Sequence, residues 1–211
     1  MHTLYARPGW GSAIVELQLA WYGLPYRLED AGDLLGSPEA RARLAPLNPV
    51  AQTPTLILPD GTVMTESAAI TLLLADAATP DSTLVPPPGD PTRPAFLRWL
   101  VFIVANIYPT FTYADIPARF VDHPAGQPGF KAQVDAYARR LWHALESQAG
   151  TPWFCGPRLT ALDLYLGVMT RWRPNRPWFA AHCPRLHAIA EAAEAIPALR
   201  AVWQRNFPPT S

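Results

Sequence analysis

The chain has 211 residues, 49% of them hydrophobic, and its seventeen basic and seventeen acidic side chains cancel. This length holds one large domain or two small ones with ample material for a core, and the balanced charge gives no electrostatic reason to expect nucleic acid or an anionic membrane as partner. Lys131 is the only lysine, so catalysis through an amine is not expected.

In chain order, residues 3–6 read as a short strand, and a helix starts at Ser12, carries Ile14, Val15, Leu17 and Leu19, and stops at Gly23. "GLPYRLED" is a second strand, and a short helix follows within residues 35–47, with Ser37 as cap and Pro38 in its first turn. Residues 55–58 and 62–65 are two strands joined at Asp60-Gly61, a hairpin signal, and Glu66 with Ser67 opens an apolar helical run over residues 68–75. The order β-α-β-α-β-β-α predicts a thioredoxin-like α/β domain over residues 1–78.

Residues 79–93 form a proline-rich linker without apolar periodicity. Residues 94–211 read as an all-α domain: a long run over 94–120 bent or ended by Pro109 and Pro117, a second over 129–149, then "GPRLTALDLYLGVMTRW". In that last segment Thr160 with Asp163 is a capping-box variant. Two short helices parted at Ile196-Pro197 follow.

No run approaches the ~18 apolar residues of a membrane span, and "MHTLYARPGWGS" lacks a charged head followed by an apolar core, so the expected location is cytoplasmic. Cys155 and Cys183 stand outside any C-x-x-C arrangement and read as reduced and structural. The spacing of His182, Cys183 and His187 matches no common zinc pattern, and no metal is expected.

The segment "NPVAQTPTLILPDGTVMTES" resembles the cytosolic glutathione S-transferase family, whose thioredoxin-like half carries "NPxGxVPxL" followed by an "ES" pair. The resemblance implies glutathione as co-substrate. It implies a cis Pro54, with Thr53 pairing the cysteinyl part of the peptide through the main chain like an added strand, and Gln52 and Pro54 among the glutathione-binding residues. It also implies that Glu66 and Ser67 hold the γ-glutamyl end at the helix start. The segment "CPRLHAIAEAAEAIPALRAVWQ" is similar to the family's ending, with Ile189 in place of the usual tryptophan, so the likeness spans essentially the whole chain.

At the reacting end "YARPGWGSAIV" resembles the bacterial pattern "YxSPGxCSxxP". On that alignment Gly11 stands where beta-class enzymes have a catalytic cysteine, and Gly9 where theta and zeta enzymes have a serine. A thiol of pKa about 8.5 must be stabilised as its anion to react near neutral pH. Ser12 is the nearest hydroxyl, either the catalytic donor to the thiolate or the cap of the helix, and the amides of residues 11–14 are further donors. Arg7 is a candidate for added positive potential. Trp10, Tyr108 and Tyr113 are the candidate wall of an electrophile pocket, with core packing as the alternative for each aromatic.

The resemblance therefore implies a homodimer that conjugates glutathione to a small hydrophobic electrophile. Two alternatives stay open: a glutathione-dependent disulfide reductase or isomerase, and a non-catalytic glutathione-binding dimer, which the missing side chain at Gly9 and Gly11 favours. Redox chemistry by the chain's own cysteines is disfavoured, since neither lies near the first helix.

Overall fold

Strand β1 (His2–Ala6) lies between β2 (Tyr26–Asp30), with which it is parallel, and β3 (Thr55–Ile57), which runs antiparallel and pairs in turn with β4 (Val63–Met64). The computed structural model in which this sheet is seen describes residues 1–79 and 82–208. Alternation along β1 sends Leu4 and Ala6 to one face and Tyr5 to the other. On the first face Leu4, Ala6 and Leu56 pack against Val15 and Leu19 of α1 (Ser12–Trp21) and Ile70 and Leu74 of α3 (Ser67–Ala75). The two helices are also tied by a buried hydrogen bond from Gln18 Nε2 to Thr71 Oγ1 at 3.0 Å. On the second face Tyr5 and Trp10 pack with Ala31, Leu34, Ala51 and the inner side of α2 (Pro38–Leu44), whose cap Ser37 accepts from the Ala40 amide as its sequence predicts.

The remaining helices are α4 (Arg93–Phe102), α5 (Tyr108–Asp115), α6 (Gln127–Glu146), α7 (Ala161–Met169), α8 (Arg176–His182), α9 (Pro184–Glu194) and α10 (Arg200–Asn206). Between α4 and α5 the backbone widens into a π-helical segment, Ile103–Ile107. Pro109 explains it: proline has no N–H to give to the carbonyl four residues back, and its ring crowds that carbonyl. The bend expected at Pro109 is thus a change of helical pitch, while Pro117 starts a separate 3-10 turn, Pro117–Arg119.

The continuous helical run Arg93–Asp115 is, by length and average composition, apolar enough to cross a membrane, although no unbroken apolar run of that length exists in it. Counting unbroken apolar residues missed it because single polar residues punctuate it. Its buried positions Phe96, Trp99, Leu100, Ile103, Ile107, Phe111 and Ala114 recur at helical spacing along one face, the pattern of a core helix. Asp163 caps α7, accepting from the amides of Thr160 and Phe154 at 2.7 Å each.

The chain divides into two compact units, Met1–Pro87 with Ala192–Ser211, and Pro88–Glu191. The first holds the sheet, and the second is all-helical. Residues 192–211, which the sequence reading places with the helical half, therefore belong to the sheet unit. The cause is polar as well as apolar, because α10 delivers Arg205 and Asn206 to the buried Glu16 of α1. Residues 80 and 81 of the expected linker lie outside the described residues.

Candidate functional site

Antiparallel pairing of Tyr5 with Thr55, and of Leu56 with Met64, brings three chain segments to one end of the sheet's strands: the loop after β1, the loop before β3, and the start of α3. These are the segments that carry the sequence motifs. Each is held by a different device.

The loop before β3 is held by Asn48, a buried residue inside the quoted motif to which no role was assigned from sequence. Its Nδ2 donates to Gln52 O at 3.0 Å and to Thr55 Oγ1 at 3.1 Å, and its Oδ1 accepts from the Val50 amide at 3.1 Å. Thr55 Oγ1 also donates to Gln52 O at 2.9 Å. The Gln52 carbonyl is therefore consumed internally. The main chain of Thr53, next to the cis Thr53-Pro54 bond, has no partner among the described residues. Thr53 is half-buried, Pro54 buried, and the Gln52 side chain exposed. An unpaired main-chain donor and acceptor just ahead of a strand is an arrangement that accepts an extended peptide.

Glu66 sits at φ 62°, ψ 102°, a left-handed conformation unusual for a residue with a side chain. Its carbonyl accepts the first bond of α3 from the Ile70 amide at 3.0 Å, while its side chain stays exposed. Ser67, buried, opens the helix, where the first amides have no carbonyl to meet within it. A carboxylate is the natural partner of such amides, and the Glu66 carboxylate beside them is the natural partner of an ammonium.

At the end of β1 the findings differ from expectation. Ser12 is fully buried, and its Oγ accepts from the Arg7 amide at 3.1 Å and donates to the Arg7 carbonyl at 3.2 Å. The one hydroxyl proton is thus spent on the main chain, and the helix cap is Gly11, not Ser12. The amides of Ala13 and Ile14 are also used, on Trp10 O and Gly11 O. Those of Gly11 and Ser12 have no acceptor among the described residues.

Gly9 has φ 78°, and a Cβ there would stand 3.4 Å from the Asn206 carbonyl oxygen and 3.6 Å from the Phe207 ring. The place where theta-type enzymes carry a serine is here taken by backbone geometry and α10. Trp10 packs into the cluster around α2, and the Arg7 guanidinium lies 5.6 Å over its ring.

In the helical unit Tyr108 and Tyr113 do not meet. Five residues of helix turn side chains apart by about 140°. Tyr108 stands edge-on to Trp172 and Phe111, with its hydroxyl buried and without a hydrogen-bond partner; burial pushes the phenol well above its ordinary pKa. Tyr113 is exposed and packs edge-on against Phe120 at 5.0 Å. Burial also pushes the thiols of Cys155 and Cys183 up to about 12, so neither is a reactive thiolate near neutral pH. Among the described residues no cluster of His, Cys, Asp and Glu has the arrangement of a metal site.

Residues 12–77 match the family model described as the glutathione S-transferase N-terminal domain. Over 207 residues, 98% of either chain, the protein is 41% identical to the uncharacterized GST-like protein YncG of Escherichia coli (strain K12). The chain belongs to the glutathione S-transferase family. Its fold is that of a glutathione transferase from Methylococcus capsulatus (strain Bath), 30% identical, with a TM-score of 0.79 over 97% of this chain and 98% of the other. It is also similar to a sphingomonad glutathione S-transferase, solved in complex with glutathione, at 26% identity and a TM-score of 0.75 over 96% and 97% of the respective chains. The expected architecture, a thioredoxin-like α/β domain followed by an all-α domain, is the family's and is seen here.

Proposed function

We propose that this protein binds glutathione at the end of the sheet where β1 ends and β3 begins, and conjugates its thiolate to a small hydrophobic electrophile. The observation that carries the reading is the unpaired main chain of Thr53 beside cis Pro54, at the same end of the sheet as the start of α3. Glutathione offers the matching set: an amide main chain to pair with Thr53, an α-carboxylate for the Ser67 hydroxyl and helix amides, and an ammonium for Glu66. The sphingomonad relative, solved with glutathione, supports it.

For the thiolate, the amides of Gly11 and Ser12 are the donors this chain offers, and the Ser12 hydroxyl acts as a clamp on the loop. Hydrogen bonds to the charged form lower a thiol's pKa. The sulfur then attacks the electrophile's carbon and the leaving group departs. We further propose a homodimer: Leu72 on α3 and Val101 on α4 are large apolar side chains left exposed, as expected of helices that meet a second copy.

The test is calorimetry. Glu66→Ala and Ser67→Ala are each expected to weaken glutathione by on the order of 1.5–3 kcal/mol. Unchanged affinity in both removes the γ-glutamyl site and the reading with it. Light scattering at micromolar concentration checks the dimer, and a monomer mass there contradicts it. A second reading, glutathione binding without catalysis, is favoured by the spent proton of Ser12. Thiolate absorbance separates the two: conjugation requires that bound glutathione ionise at lower pH than free glutathione, and binding alone does not.

A further inference from the structure

The loop that carries the two open amides is fastened at two points. One is Ser12 on Arg7. The other comes from α10: the Gly9 amide donates to Asn206 Oδ1 at 3.3 Å, within the same compact unit.

The Asn206 amide group is itself oriented without ambiguity. Its Nδ2 donates to Glu16 Oε2 at 2.8 Å and to Val202 O at 3.0 Å. A carboxylate and a carbonyl only accept, so both amide hydrogens are committed and the oxygen must turn to Gly9. Glu16, 1% exposed, is fixed in turn by Arg205 Nε at 2.8 Å and the Tyr26 hydroxyl at 3.2 Å. Burial first, and the negative charge of Glu16 second, push the Tyr26 phenol up to about 12. A charged, buried acceptor thus sets the amide that sets the loop.

We propose that Asn206 is a positioning residue for the thiol chemistry, holding Gly9 so that the neighbouring Gly11 and Ser12 amides point at the glutathione sulfur. The proposal rests on the glutathione reading above. Asn206 touches neither sulfur nor electrophile in this scheme; it acts through the loop. Donors that stabilise a developing or standing anion act through their placement, and a displacement of about 1 Å costs one to two orders of magnitude in rate.

The experiment compares Asn206→Ala with Val202→Ala in the full chain. Both trim α10, but Val202, buried, does not use its side chain on Gly9 or Glu16. For Asn206→Ala we expect the thiol titration of bound glutathione to return toward that of the free peptide, kcat for conjugation to fall on the order of tenfold, and glutathione affinity to stay within twofold. Val202→Ala is expected to lower the denaturation midpoint and leave the titration in place. Glu16→Gln, which keeps volume and loses the charged acceptor, is expected to shift the titration in the same direction by less, and it serves if Asn206→Ala does not fold.

An unmoved titration in Asn206→Ala and Glu16→Gln, or an equal shift in Val202→Ala, overturns the positioning role. Loss of glutathione binding in the parent protein overturns the glutathione reading instead, so the two failures are distinct.

Discussion

The two ends of the candidate site are held by different kinds of interaction. The peptide end, around Asn48, Thr53 and Glu66, is built from residues within twenty positions of one another and fixed by hydrogen bonds that span two to seven residues. The thiol end has a local clamp as well, Ser12 on Arg7, but depends further on contacts that reach 190 and 197 residues along the chain, through Asn206. A local device tolerates change elsewhere in the protein, whereas a long-range one inherits every disturbance of the helix that closes it.

Removing the local hub is the most severe way to break that contrast. Asn48→Ala leaves the Val50 amide and the Gln52 and Thr55 oxygens short of a partner, and is expected to cost on the order of 3 kcal/mol in stability, with glutathione affinity falling alongside. Denaturant unfolding with calorimetry measures both, and a loss under 1 kcal/mol would put the order of that loop elsewhere.

Gly9→Ser comes next and sharpens the thiol end. Although it restores the residue type of theta enzymes, it must occupy φ 78° and approach α10, so about 1–2 kcal/mol of stability is expected to be lost with no gain in conjugation rate. A rate increase would show that the loop has room for an activating side chain.

Ser12→Ala is a smaller change: two bonds to Arg7 disappear, about 1 kcal/mol of stability is expected to go with them, and the thiol titration of bound glutathione should move only part of the way toward that of the free peptide, as expected of a loosened loop. A titration moved most of the way to free glutathione would return the hydroxyl to the catalytic role first expected of it. The smallest effect is that of Tyr108→Phe. Deleting a buried hydroxyl without a partner is expected to leave stability unchanged or raise it by up to about 1 kcal/mol, and the melting temperature reads the sign.

The same contrast governs what the sequence made legible. The hairpin at Asp60-Gly61, the cap at Ser37 and the box at Thr160 and Asp163 are short-range patterns with short-range causes, and they stand where expected. Ser12 illustrates the limit: a serine before an apolar helix reads as cap or donor, and only the return of the Arg7 main chain shows which bonds it makes. Glu16 and Asn206 were invisible for a related reason. A carboxylate in mid-helix normally faces water, and nothing local marks one that meets an asparagine nearly two hundred residues away. Trp10, Tyr108 and Tyr113 share only their aromaticity, which does not distinguish an electrophile wall from a core.

Because residues 88–191 intervene between the two parts of the sheet unit, that unit is discontinuous in the chain. During synthesis β1, β2 and α1 are complete long before α10 exists, and until it arrives Glu16 lacks the arginine and asparagine that meet it in the finished fold. A buried carboxylate without such partners is strongly unfavourable. A fragment cut at residue 78 along the apparent domain boundary would keep the glutathione motifs while losing the arginine and asparagine that meet Glu16.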